Sequence, residues 1–234
     1  INPSAVAADL TVTGTTSLCA SGTAVLTAAS TTVTSPVFTW YTDAALTQVA
    51  YVGAVFNTPA INTTTKYYVT VSGTNKCANT AGNAKEVTVT VNPVATPADI
   101  NLAGTSTVCG GSSVTINATS TTVTNPVFTW YSDASLTTVA FIGPTFNITS
   151  LTANTTYYVT VKGTNKCENT AANAKPVTIT VNPNAVAADI TVNGSTSVCS
   201  NTAATLAATS TTVTNPVFTW YSDATLNTVV FTVA

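Results

Sequence analysis

Residues Ser120-Thr-Thr-Val-Thr-Asn-Pro-Val-Phe-Thr-Trp-Tyr131 occur again unchanged as Ser210 to Tyr221, and with Ser35 in place of Asn125 as Ser30 to Tyr41. Trp130 therefore lies 90 residues after Trp40 and 90 before Trp220. A period of that size, with one tryptophan on one strand-like segment per copy, predicts a tandem array of β-domains, each closed around its own indole. Over 234 residues this gives two complete copies and part of a third.

The copies can be bounded. Ile1-Asn2-Pro3 matches Val91-Asn92-Pro93 and Val181-Asn182-Pro183, the last residue of a strand followed by an Asn-Pro exit. Residues 1–8 are then the end of a preceding copy and a linker, and 9–92 the first repeat. Residues 93–98 are a linker, 99–182 the second repeat, 183–188 a linker and 189–234 a partial third repeat. The linkers carry Ala, Val and Pro, not Gly and Ser, which predicts neighbours that sit close in semi-rigid register. The third copy stops at Ala234, opposite Pro144, so its late strands come either from a continuing chain or from another one.

Alternation within the second repeat predicts strands at Ile100–Leu102, Ser113–Ala118, Val127–Tyr131, Thr138–Ile142, Thr145–Ile148, Tyr157–Val161 and Pro176–Val181. Val114, Ile116, Ala118, Phe128, Trp130, Tyr157, Val159 and Val161 should face inward, and Tyr131 and Tyr158 outward. No segment has helical periodicity. The fold class is all-β: tandem immunoglobulin-like or fibronectin-III-like two-sheet sandwiches of about 90 residues. Trp130 follows Ile116 at the interval expected between the strand-B core residue and the strand-C tryptophan. Leu151 with Tyr157, and Ile61 with Tyr67, read as tyrosine corners. Val69 and Val159 stand where an antibody domain has its second core cysteine, so aliphatic packing replaces the intersheet disulfide.

Charged residues make up only 6% of the chain, with six lysines, no arginine and no histidine. A surface covered by Thr, Ser and Asn suits exposed strands. It does not suit nucleic acid, whose phosphates need clustered basic groups. No apolar run approaches the roughly 20 residues of a membrane span, and no signal-peptide pattern is present. Without histidine a Ser or Cys nucleophile lacks its usual base. The carboxylates (Asp9, Asp43, Glu86, Asp99, Asp133, Glu168, Asp189, Asp223) are spread singly, so the chain is expected not to be an enzyme. No cofactor is expected, and no metal. Asp43, Asp133 and Asp223 read more readily as turn-fixing residues than as calcium ligands, which would need six to eight oxygens.

The cysteines keep the period: Cys19, Cys109 and Cys199 in one series, Cys77 and Cys167 in the other. Two per repeat reads as a disulfide framework in an oxidising compartment. The start of strand B and the end of strand F lie at opposite ends of a sandwich, beyond the about 7 Å that a disulfide spans. The favoured pairing is therefore between repeats, Cys19 with Cys167, the other cysteines pairing outside this stretch. A bond within one repeat, and free thiols, remain as alternatives. Tyr41 with Tyr68, and Tyr131 with Tyr158, form outward pairs that read either as ordinary cross-strand contacts or as a face for stacking on sugar rings.

Taken together, Cys-x-Gly-x-x-Val-x-Ile (Cys109 to Ile116), Phe-Thr-Trp-Tyr-Ser-Asp (Phe128 to Asp133), Thr-Thr-Tyr-Tyr-Val (Thr155 to Val159) and Asn-Lys-Cys (Asn165 to Cys167) resemble the immunoglobulin-like repeats of large Bacteroidetes surface proteins, adhesins and secreted polysaccharide-degrading enzymes. Repeat one departs after its cysteine (Ala20-Ser21-Gly22), and repeat three has no glycine there (Ser200-Asn201-Thr202). The resemblance implies export to the cell surface or medium, typically by type IX secretion, and a role as an adhesive stalk or filament segment. Its alternatives are a spacer or glycan-binding accessory of a secreted enzyme, and a filament subunit completed by strands of a neighbouring chain. The partners implied are neighbouring repeats or chains, surface glycans and other cells.

Overall fold

The computed structural model describes residues 1–233; Ala234, where the third copy was read to stop, lies outside them. Among the described residues every regular element is a strand or a three-residue 3₁₀ turn, and no helix is long and apolar enough to cross a membrane. The first repeat contains β1 (Thr11–Gly14), β2 (Ser17–Cys19), β3 (Val25–Ala29), β4 (Val37–Tyr41), β5 (Val49–Val52), β6 (Val55–Asn57), β7 (Thr65–Ser72) and β8 (Lys85–Asn92). They form a three-stranded sheet, β1-β3-β6, and a five-stranded one, β2-β8-β7-β4-β5.

The second repeat duplicates this with β9 (Asn101–Gly104), β10 (Thr107–Cys109), β11 (Val114–Thr119), β12 (Val127–Tyr131), β13 (Val139–Ile142), β14 (Thr145–Ile148), β15 (Thr155–Lys162) and β16 (Lys175–Asn182). Its sheets are β14-β11-β9 and β10-β16-β15-β12-β13. The third copy supplies β17 (Thr191–Gly194), β18 (Leu206–Thr209), β19 (Phe218–Tyr221) and β20 (Val229–Val233), joined as two separate pairs, β17-β18 and β19-β20.

The opening strand differs from the single segment read at Ile100–Leu102. It splits, with β9 antiparallel to β11 and β10 parallel to β16 in the opposite sheet. The crossing falls at Gly104, whose φ of 143° favours glycine and where a Cβ would lie 2.4 Å from the Thr115 carbonyl oxygen. The parallel pairing sets Cys109 beside Asn182, as Cys19 is set beside Asn92 in the first repeat. The cysteine thus sits at the exit end of its own sandwich.

Each full repeat has its own closed core, one around Trp40 and one around Trp130, both fully buried. Each indole N–H donates to a glycine carbonyl, Gly53 at 3.0 Å and Gly143 at 2.9 Å, so burial leaves no polar atom unpaired. Val69 and Val159 pack fully buried at the antibody cysteine position. Tyr67 and Tyr157 meet Phe56 and Phe146 edge-on at 5.2 and 5.1 Å, and among the described residues neither hydroxyl bonds the backbone of the turn before its strand. Tyr67 meets the Thr58 side chain in that turn instead, and burial raises its pKa. The matching residue of the second repeat is Ile148, and Tyr157 is only half-buried.

The segments read as linkers differ as well. Ser4 bridges Cys77 and Ala5 belongs to the first core; Val94 bridges Cys167 and fully buried Ala95 belongs to the second. In the third copy Trp220 is only half-buried, and among the described residues β19 pairs with β20 alone. Trp130→Ala should therefore cost about 3–5 kcal/mol of stability in urea unfolding of its repeat. Trp220→Ala should cost markedly less, and equal losses at the two sites would contradict this account of the cores.

Candidate functional site at the repeat junction

After β15 the chain makes a tight hairpin, Gly163-Thr164-Asn165-Lys166, with Gly163 bridged to Lys166. The hairpin lies on the loop that opens the recurring motif. Thr164 N–H donates to the Thr124 carbonyl at 2.9 Å, Thr124 N–H to Asn165 Oδ1 at 2.7 Å, and Asn165 Nδ2 to the Thr122 carbonyl at 2.9 Å. The approach is so close that a Cβ on Gly163 would lie 2.2 Å from the Thr124 carbonyl oxygen. Lys166 Nζ reaches Asp99 Oδ1 at 2.6 Å. Asp99 is buried and also accepts from the Thr122 hydroxyl and the Thr96 N–H.

The first repeat repeats the arrangement, with Lys76 on both oxygens of Asp9 at 2.6 and 2.7 Å and Thr32 on Oδ1. Bonds from Lys76, Thr32 and the Val6 N–H lower the Asp9 pKa from 3.8 to about 2. Burial alone would raise Asp99, but bonds from Lys166, Thr122 and Thr96 outweigh it and hold that carboxyl well below the usual range. A buried ion pair is retained at a net gain only when its remaining lone pairs are satisfied, as they are here.

The hairpin ends in Cys167. Its N–H donates to the Pro93 carbonyl at 3.0 Å and its carbonyl accepts from Ala95 N–H at 2.9 Å. On the other side of Pro93, Asn92 lies alongside Cys19, and its carbonyl accepts from Ala20 N–H at 2.8 Å. The structure joins Cys19 to Cys167, with Cα atoms 5.8 Å apart. Cys77, Cys109 and Cys199 are free and exposed. Cys77 stands in its hairpin as Cys167 does: its thiol is 3.6 Å from the Asn2 carbonyl, against 3.7 Å from Cys167 to Asn92.

Tyr41 pairs directly with Tyr68, and Tyr131 with Tyr158, on the outer face of the larger sheets, all half-buried. The Tyr131 hydroxyl donates to Glu168 Oε1 at 3.2 Å, and burial and that carboxylate raise its pKa. Thr160, fully buried, donates to the same oxygen at 2.7 Å.

Asp133 accepts from the Ser135 hydroxyl, from Thr137 and from Thr138 N–H, which together hold its pKa well below the usual range. Asp43 and Asp223 close the same turn, in which Leu46, Leu136 and Leu226 take left-handed φ values of 61°, 58° and 57°. Among the described residues no three His, Cys, Asp or Glu side chains cluster as a metal site would require. Sequence reading missed the Asp99–Lys166 and Asp9–Lys76 pairs, because the partners are 67 residues apart. The available signal was that both members recur with the repeat.

The family described as "Ig-like domain CHU_C associated" matches residues 6–93 and 97–183. No curated protein matches the chain. Among solved structures, it is similar to the three N-terminal domains of the bacteriophage RB49 highly immunogenic outer capsid protein (Hoc), with 14% identity, a TM-score of 0.42, and coverage of 96% of this chain and 78% of that one. It is also similar to a chain of the complex of Dpr11 IG1 with DIP-gamma IG+IG2, with 12% identity, a TM-score of 0.27, and coverage of 74% and 98%. At those scores neither structure carries an argument about this chain.

The ion pair sets a pH dependence. The Asp9 pKa in the folded chain is about 2, below its ordinary 3.8, so its contribution to stability is present above about pH 4. That contribution is lost as pH falls from about 4 through about 2. Thermal unfolding of the first repeat should hold level from neutrality to about pH 5 and then drop, and Lys76→Met should flatten the drop by removing the largest of the contacts that lower the Asp9 pKa. An unchanged acid profile in that variant would contradict the assignment.

Proposed function

The chain belongs to the CHU_C-associated immunoglobulin-like family, and from that premise we propose that it is a segment of a non-enzymatic, extracellular stalk or filament in a repetitive bacterial surface adhesin. One observation carries this reading: the Cys19–Cys167 bond crosses from one sandwich to the next. A bond within a domain stabilises that domain. A bond between domains fixes their register and limits how far the chain can be drawn out, which is useful where a tether bears load. Such bonds persist in oxidising surroundings, which supports an extracellular location.

The carboxylates support a structural role. Asp9, Asp99, Asp43, Asp133 and Asp223 are each engaged by neighbouring hydroxyls, N–H groups or a lysine and hold ordinary turns and straps in place. A Thr- and Asn-rich surface with few charges gives an array whose register is little affected by salt.

Pulling from end to end tests the proposal. The bond shields 148 residues of sequence separation, equivalent to roughly 500 Å of extended chain. Single-molecule stretching without reductant should reach a contour length shorter by about that amount than stretching after reduction or in Cys19→Ser. Equal contour lengths would remove the load-bearing role.

A further inference from the structure

The two complete repeats carry the same strands, yet they differ in a patterned way on the outer face of the larger sheet. In the second repeat Tyr131 lies opposite Val139 on one side and Tyr158 on the other, and Tyr158 lies opposite Pro176. Val139, Tyr131, Tyr158 and Pro176 therefore form one uncharged row across β13, β12, β15 and β16, about 14 Å long at three strand spacings. In the first repeat the row is Val49, Tyr41, Tyr68 and Glu86, and Glu86 is tied to Lys66 at 2.8 Å. A charge thus interrupts in the first repeat the surface that a proline continues in the second. Beside the row of the second repeat stands Glu168. One of its oxygens accepts from the Tyr131 hydroxyl at 3.2 Å and from the fully buried Thr160 hydroxyl at 2.7 Å. The other is 3.6 Å from Lys162 Nζ, longer than a direct hydrogen bond. An acceptor and a donor thus sit side by side at the rim, each with capacity left. The first repeat has Ala78 and Ser72 at these positions and carries neither charge.

We propose that this face of the second repeat binds a neutral, β-linked polysaccharide chain, with sugar rings lying on Tyr131, Tyr158 and Pro176 and two neighbouring hydroxyls meeting Glu168 and Lys162. The negative π face of a tyrosine attracts the weakly positive C–H groups on the flat side of a pyranose ring. A hydroxyl both donates and accepts, so a pair of them satisfies a carboxylate and an ammonium together. A proline-rich peptide also suits aromatic surfaces. Its prolines, however, have no N–H to offer Glu168, and the row lies on an open sheet face and not in a groove. The bond from Tyr131 to Glu168 fixes the ring in advance, so less side-chain freedom is lost when a ligand settles on it. The row belongs to one complete sandwich and does not depend on the load-bearing reading, so the pulling experiment and this one fail independently.

Titration of the full chain with cellohexaose, followed through amide NMR shifts, tests it. The shifts should concentrate on β12, β15 and β16 around Tyr131, Tyr158 and Pro176, and leave Tyr41 and Tyr68 unmoved. Maltohexaose, whose α-links coil the chain away from a flat ribbon, should bind about tenfold or more weakly. Tyr158→Ala should weaken cellohexaose binding by about tenfold or more, as truncation of an aromatic anchor does. Glu168→Ala combined with Pro176→Glu should do the same. That pair gives the second repeat the residues that the first already carries in the same fold, so a folding defect cannot mimic its effect. No binding of cellohexaose, shifts spread equally over both repeats, affinity unchanged in the double variant, or a preference for maltohexaose or a polyproline peptide would each overturn the proposal.

Discussion

Asn92-Pro93-Val94 is gripped from both sides, and the remainder of the junction follows from that grip. The first sandwich holds Asn92 through the short parallel pairing of β2 with β8. The second holds Pro93 and Val94 through Cys167, whose backbone bonds both flanks of Val94. A chain held at three consecutive residues by two different folded bodies has few torsions left to vary. The proline removes one more, since its φ is set by its ring. The Cys19–Cys167 bond closes a gap that these backbone contacts had already narrowed.

The grip depends in turn on an ion pair between buried Asp99 and half-buried Lys166. Lys166 on Asp99 pins the hairpin to the strap that enters the sandwich, so the hairpin that carries Cys167 and the strap that carries Val94 move as one. Satisfied by hydroxyl and backbone donors, Asp99 is stable as an anion; stripped of its lysine it would be a costly buried charge.

Much of the fold was legible because two periods overlap in the sequence. The two-residue alternation of Val114, Ile116 and Ala118 and of Phe128 and Trp130 marks strands with one face in the core, and the structure buries all five. The ninety-residue period divides those strands into separate sandwiches. What was not legible depends on contacts at long range. The split of the first strand needs a partner in each sheet, and β16 lies more than sixty residues downstream of β10. Ala95 looks like linker composition, and only the hollow it fills makes it core. Tyr67 and Tyr157 have the spacing of a tyrosine corner, but Phe56 and Phe146 offer each ring an edge-on partner inside the core. Asp9 and Asp99 look solitary because their lysines sit on a hairpin at the far end of each repeat.

The measurement that bears most directly on this account is non-reducing peptide mapping of the purified chain after alkylation of free thiols. The account predicts a single cross-linked species containing Cys19 and Cys167, with Cys77, Cys109 and Cys199 recovered as alkylated peptides. A species linking Cys19 to Cys77, within one repeat, would contradict it.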